Sequence, residues 1–134
     1  MARRRHVSRI AVMQVLFERE KHPGMGDLEE ALERNAQEGG EYDKEFAEML
    51  LTGAMGSEQE VRDAVQKHAP QWPLDRMDPI SRCILLVGAY ELLFHKDAPP
   101  AVVMNEAIEI AKEYGTDEGA KFVNGVLNAI AHAQ

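Results

Sequence analysis

Apolar residues recur along this chain at steps of three and four, the spacing that places them on one face of an α-helix. The first such segment runs from about Arg4 to Glu20, where apolar side chains cover most directions around the helix. Its second half should therefore be buried on nearly all sides. No segment alternates convincingly with a period of two, so the pattern predicts an all-α fold of six or seven helices.

Two further helical segments lie in the first half of the chain. The stretch Asp27–Ala36 predicts a short helix with an N-terminal cap, and Asp43 can cap a longer segment that extends to about His68. Gly53 and Gly56 lie within the longer segment, where they can admit a close neighbour or mark a bend.

The second half contains three more predicted helices. A helix over residues 79–95 has a strong start, because Asp78 can cap it and a proline occupies its first turn. It is apolar on nearly every side, so it should form the core. Residues 102–114 predict the next helix, which Gly115 should end in the left-handed conformation, and residues 119–131 predict the last.

Length and composition set the class of protein. The 134 residues suit a single domain, residues 1–134, and no apolar run approaches the roughly 20 residues that a membrane span needs. The amino terminus lacks the apolar core of a secretory signal, so we expect a cytoplasmic protein with no membrane partner. The single cysteine, Cys83, should be a small buried side chain in a reducing compartment, and Glu91 should be buried with a partner.

The charge is distributed unevenly. The net charge is −8, yet residues 1–9 hold four arginines and no acid, which leaves −12 on the remaining 125 residues. A cationic arm is therefore attached to an acidic body. Such an arm is typical either of phosphate binding or of a solvated terminus, and the sequence leaves both interpretations open.

Few residues are arranged for catalysis or metal binding. The five histidines are scattered, with no pair at the spacing of a zinc site, and the glycines do not form a phosphate-cradling loop. Glu106, Glu109 and Glu113 share a helix with Lys112, which favours a solvated, salt-bridged face over an acid–base pair. We therefore predict no enzyme, no metal site and no cofactor.

The stretch KFVNGVL, residues 121–127, places a cation beside an aromatic residue. Helical spacing puts Val123 and Leu127 in the core and turns Lys121 outward. Phe122 falls at the edge of the apolar stripe, where it is either a peripheral core residue or a platform on which unpaired bases stack.

Four stretches of the chain, in order, carry a resemblance to a known family: RRR with MQVLFERE, WPLDRMDPISRCILLVGAYELL, PAVVMNEAIEIAKEYG, and KFVNGVLNAIA. Together they resemble the NusB family, the small helical transcription antitermination factors of bacteria. The resemblance implies two packed helical subbundles without catalytic activity. It also implies binding to boxA, a short single-stranded RNA element of nascent transcripts, together with NusE, a small-subunit ribosomal protein. The complex would help RNA polymerase read through terminators, notably in ribosomal RNA operons.

The resemblance also assigns roles to residues by motif position. The RNA-binding residues would be Arg3, Arg4, Arg5, Arg9, Lys121 and Phe122. Phe17, Ser81 and Glu118 would border the RNA and partner face, although Ser81 stands where some relatives carry an acidic residue implicated in partner contact.

Two alternatives remain open. NusB-like domains also occur at the amino end of RNA cytosine methyltransferases, so the chain could act as a detached domain of that kind; or it could be a helical module that binds only protein. Some relatives self-associate, so a homodimer is a further option. Asn105, Glu106 and Asn124 could recognise RNA, but we expect them to bridge helices because they fall in strongly apolar segments.

Overall fold

The computed structural model describes residues 2–134, which contain seven α-helices and no strand. The helices are α1 (Ala2–Lys21), α2 (Leu28–Gly39), α3 (Lys44–Gly56), α4 (Glu58–Lys67), α5 (Pro79–Phe94), α6 (Pro100–Tyr114) and α7 (Asp117–His132). A short 3-10 helix, Leu74–Arg76, lies between α4 and α5. The all-α fold of six or seven helices is thereby confirmed.

The chain divides into two compact units, Met1–Gly53 and Ala54–Gln134. In the first unit, α1 packs against α2. The apolar residues of α1 are buried around most of its circumference, and Val12 and Val15 have no exposed surface. Burial on nearly all sides was predicted for the second half of this helix, but the buried residues lie between His6 and Leu16, and residues 17–20 are half-buried.

Helix α5 forms the core of the second unit. All of its residues from Ser81 to Leu92 are buried, and α4, α6 and α7 pack against it. Helices α6 and α7 also pack against each other. Cys83 is fully buried and Glu91 is 2% exposed, as predicted for both. Arg82 donates from one guanidinium nitrogen to the carbonyls of Leu74 and Met77, so α5 also fixes the 3-10 helix that precedes it.

The predicted segment 43–68 is two helices rather than one. Helix α3 ends at Gly56, and Ser57, with φ −111° and ψ 21°, separates it from α4. Apolar spacing continues across the break because both helices bury a face, so periodicity alone could not reveal it. Asp43 caps α3 as predicted, since its carboxylate accepts a hydrogen bond from the Phe46 N–H at 3.0 Å.

The prediction for Gly115 was wrong. Its φ is −127°, so it ends α6 without adopting the left-handed conformation. Only two residues link α6 to α7, and the second, Thr116, is extended because it caps α7 by accepting from the Gly119 N–H at 2.9 Å. Among residues 2–134, the glycine with positive φ is Gly40, at 111°, where α2 ends.

Within residues 2–134, no helix combines the length and the apolar character that crossing a membrane requires.

The contact between α1 and α2 includes a charged cluster. The Arg34 guanidinium lies 2.9 Å from the Glu18 carboxylate, which also accepts a hydrogen bond from the Asn35 side chain. The hydrogen bond from Arg34 is the main reason that the pKa of Glu18 lies below its ordinary value, although partial burial opposes the shift.

We expect Glu18→Gln to destabilise the protein at pH 7. A carboxyl group whose pKa is lowered by folding stabilises the fold above its unfolded pKa, and this stabilisation is lost as the pH falls through the folded pKa. The difference between wild type and variant should therefore shrink below about pH 4. Urea unfolding at pH 7 and pH 3.5 measures the difference in the free energy of unfolding. Glu33→Gln, on the exposed side of α2, is the control. A difference that does not change with pH would contradict this interpretation.

Candidate functional site

The four arginines near the amino terminus lie on the first turns of α1, so the cationic arm is helical. Arg3 and Arg4 are exposed, and the Arg4 guanidinium lies 3.2 Å from the Glu41 carboxylate. An exposed ion pair of this kind contributes little to stability, so a phosphate group can replace Glu41 as the partner of Arg4 at small cost.

Arg5 and Arg9 are four residues apart and lie over the same aromatic ring. Their guanidinium carbons are 4.3 Å and 5.0 Å from the centre of the Phe46 ring. Such contacts contribute about 0.5–2 kcal/mol each, depending on burial. Arg5 is half-buried and Arg9 is 4% exposed, so only the exposed arginines before them present a freely accessible charge.

Asp43 connects this pair of arginines to α3. Its carboxylate lies 3.7 Å from the Arg5 guanidinium and also caps Phe46. The Ser8 hydroxyl accepts from the Asp43 N–H at 2.9 Å and lies 3.0 Å from the Asp43 carbonyl. We call Arg5, Ser8, Arg9, Asp43 and Phe46 the arm anchor, because they hold the start of α1 against the start of α3.

Phe17 lies further along α1, beside another cation. Its ring is half-buried, and the Lys21 ammonium lies 5.5 Å from the ring centre, one helical turn away. The predicted aromatic position therefore combines a partly exposed ring with a positive charge.

The second unit contains an open pocket of about 640 Å³, which we call the aromatic pocket. Three of its lining side chains are aromatic: Trp72, Tyr114 and Phe122. Trp72 is 59% exposed and meets Phe122 edge to face, with ring centres 5.9 Å apart and planes at 74°. The polar side chains in the lining are Arg76, Asp78, Ser81, Thr116 and Glu118. The pocket thus offers ring faces for stacking and a polar rim for hydrogen bonds.

One glutamine side chain shapes the loop that carries Trp72. The Gln66 amide nitrogen donates to the carbonyls of Ala69 and Trp72, at 3.1 Å and 2.9 Å. Its amide oxygen accepts from the Leu74 N–H at 2.8 Å. These three bonds satisfy backbone groups of an irregular segment, so Trp72 is fixed at the pocket rim without belonging to a helix.

The floor of the aromatic pocket is formed where α7 begins close to α5. Ser81 is 5% exposed, and both its N–H and its hydroxyl donate to the Asp78 carboxylate at 3.2 Å. A Cβ at Gly119 would lie 3.2 Å from the Ser81 hydroxyl, which is tighter than an ordinary contact. Glycine at this position therefore permits the close approach that brings Phe122 to the pocket.

Lys121 is exposed on a different side of α7 from Phe122 and lines a separate groove toward α6.

The sequence model described as "NusB family" matches residues 6–132. The chain belongs to the NusB family. The transcription antitermination protein NusB of Methylacidiphilum infernorum is 43% identical over 88 residues, which are 66% of this chain and 62% of that protein. The NusB of Bacillus licheniformis is 40% identical over 129 residues, 95% of each chain.

Solved structures of the NusB family share the fold. One is a crystal structure of the antitermination factors NusB and NusE in complex with double-stranded RNA. The likeness to it has a TM-score of 0.86 and 28% sequence identity, and it covers 100% of each chain. The resemblance read from the four sequence motifs is thereby confirmed.

The structure brings some of the predicted site residues together. Ser81, Glu118 and Phe122 line one pocket. Their roles in binding stay predictions, as do those of the arginines on α1 and of Phe17. Asn105 and Asn124 are exposed, so neither is the buried bridge between helices that we expected, and Glu106 is half-buried.

Several residues of the site were not anticipated. Trp72 lies in an irregular, proline-rich stretch, where apolar periodicity does not show which side chains are buried. The sequence therefore could not reveal that Trp72 is exposed. Tyr114 was counted only as the end of a helix. The contact of Phe46 with Arg5 and Arg9 was not predicted, although the four-residue spacing of the two arginines indicates that both face a common surface.

We expect Asp78→Ala to destabilise the protein by about 1 kcal/mol, because it removes the cap of α5 and the partner of the buried Ser81 hydroxyl. Asp75→Ala, which removes the same charge from an exposed position three residues earlier, should change stability much less. Urea unfolding followed by circular dichroism measures both. Equal effects of the two substitutions would show that charge, not capping, is responsible.

Proposed function

We propose that this chain is a transcription antitermination factor that binds single-stranded boxA-type RNA together with a NusE-type ribosomal protein and helps RNA polymerase read through terminators. The observation that carries the proposal is the full-length likeness to a NusB crystallised with NusE and double-stranded RNA, which supports RNA binding with such a partner. The preference for a single strand is proposed from the aromatic pocket. The proposal treats residues 1–134 as one RNA-binding domain, acting in the cytoplasm without a catalytic step. Self-association stays a prediction.

The arginines on α1 are proposed to bind the RNA backbone. Arg3 and Arg4 are exposed and supply the direct phosphate contacts, with a smaller share from the half-buried Arg5. Arg9 is buried against Phe46, and its proposed role is to hold the arm anchor in place. Phosphate binding then replaces the Arg4–Glu41 ion pair with a contact to RNA.

The aromatic pocket is proposed to hold an unpaired base. Trp72 and Phe122 are among its aromatic lining residues, and Ser81 and Glu118 are among its polar ones. A base in a duplex cannot enter because it is stacked between its neighbours, so the pocket favours single-stranded RNA. Each stacked base is worth about 1–3 kcal/mol.

The acidic body is proposed to serve selectivity. Outside residues 1–9 the chain carries a net charge of −12, which repels RNA that does not engage the arm and the pocket. The same charge attracts a basic ribosomal protein, an effect that raises association rate and selectivity more than affinity.

We expect the double substitution Arg3→Gln with Arg4→Gln to weaken binding of a labelled boxA-type RNA. Two lost phosphate contacts should make the log–log salt dependence shallower by about 1.4. Glu41→Gln should act in the opposite direction, because it removes the competitor of Arg4. Fluorescence anisotropy at several salt concentrations, with and without the NusE-type partner, measures these effects.

The matched control for Glu41→Gln is Glu38→Gln, which removes the same charge from an exposed position on α2. Unchanged RNA affinity and salt dependence in the arginine variant would rule out the arm as the phosphate-binding element. No RNA binding by the wild type, with partner binding retained, would instead support a module that binds only protein.

We expect Phe122→Leu to lower affinity for single-stranded RNA by about 1–3 kcal/mol, because it keeps an apolar side chain but removes a ring face. Phe94→Leu, at an exposed aromatic outside the pocket, is the control and should have little effect. Trp72 is the only tryptophan, so its fluorescence should change as RNA fills the pocket. A duplex of the same sequence that binds as well and produces the same change would contradict stacking of an unpaired base.

A further inference from the structure

A groove of about 380 Å³ lies between α6 and α7. Its apolar lining is Ile108 and Ala120, and its polar lining is Lys112, Asp117, Lys121 and Asn124. Lys112 lies in the last turn of α6, whereas Lys121 and Asn124 are three residues apart on one face of α7. We call this feature the lysine groove.

The two lysines are available to a ligand. Both are exposed, and neither forms an ion pair with any residue in the described range 2–134. The Asn124 side chain is likewise exposed and makes no hydrogen bond within that range. The unit that contains them, residues 54–134, has seven Lys and Arg against twelve Asp and Glu. Two unpaired cations in one groove are therefore a local exception on an acidic surface.

We propose that the lysine groove binds a phosphodiester of the RNA backbone, next to the nucleotide whose base enters the aromatic pocket. The inference rests on the proposed function. Lys121 and Phe122 are consecutive residues of α7, and one lines the lysine groove while the other lines the aromatic pocket, so a single RNA strand can contact both. Lys112 and Lys121 would share the phosphate charge, and the Asn124 amide would donate to an oxygen of the backbone.

The position of the groove favours a phosphodiester over an acidic peptide, because Lys121 of the groove directly precedes Phe122 of the aromatic pocket on α7. Lysine acts as a point charge that suits a phosphate. Asp117 is also in the lining; its carboxylate opposes the binding of any anion but can accept a hydrogen bond from a ribose 2′-hydroxyl.

The test is the RNA affinity of Lys112→Gln, measured by anisotropy with the same boxA-type RNA over a range of salt concentrations. Loss of one phosphate contact should weaken binding at low salt and make the log–log salt dependence shallower by about 0.7. Lys67→Gln is the matched control, since Lys67 is also an exposed lysine in the last turn of a helix, α4, but lies outside the groove. It should leave both quantities nearly unchanged.

The outcomes separate this inference from the proposed function. If Lys112→Gln behaves like Lys67→Gln while wild type binds RNA tightly, the lysine groove does not bind RNA and the proposed function stands. If Lys112→Gln leaves RNA binding intact but weakens binding of the NusE-type partner, the groove takes acidic protein segments instead, which overturns the inference. If wild type binds no RNA with or without the partner, both proposals fail.

Discussion

The second unit depends on the close packing of α7 against the buried helix α5. Gly88 of α5 faces Leu127 so closely that a Cβ there would lie 2.9 Å from a leucine methyl carbon, and Gly119 meets Ser81 nearer the start of α7. These two contacts define the position of α7 along its own axis, and its rotation about that axis, relative to α5. Because α7 carries Phe122 and Lys121, its placement decides which side chain faces the aromatic pocket and which faces the lysine groove.

Local signals were sufficient to predict most of the helices. Asp43 and Asp78 were identified as caps from their types and positions, and the structure shows hydrogen bonds from both carboxylates to the expected turns. The errors occurred where a neighbour overrides a local preference. Gly115 avoids the left-handed conformation because Thr116 begins the next helix at once, and the break at Ser57 is hidden because apolar spacing continues through it.

The candidate site was less predictable than the fold, because much of it depends on side-chain contacts that helical spacing does not describe. The family motifs pointed to Phe122 and Glu118, yet the aromatic pocket also needs Trp72, whose position is set by Gln66 six residues earlier. No spacing rule describes a side chain that binds an irregular loop. The burial of the arginines on α1 was likewise not predictable. The four residues look equivalent in sequence, but Arg9 is buried over Phe46.

The consecutive order of Lys121 and Phe122 has a geometric consequence for any strand that contacts both. Successive residues of an α-helix point about 100° apart around its axis. A strand that runs parallel to α7 would meet only one of the two side chains at a time. A strand that occupies both the lysine groove and the aromatic pocket must therefore cross over α7, with the helix acting as a ridge between backbone and base.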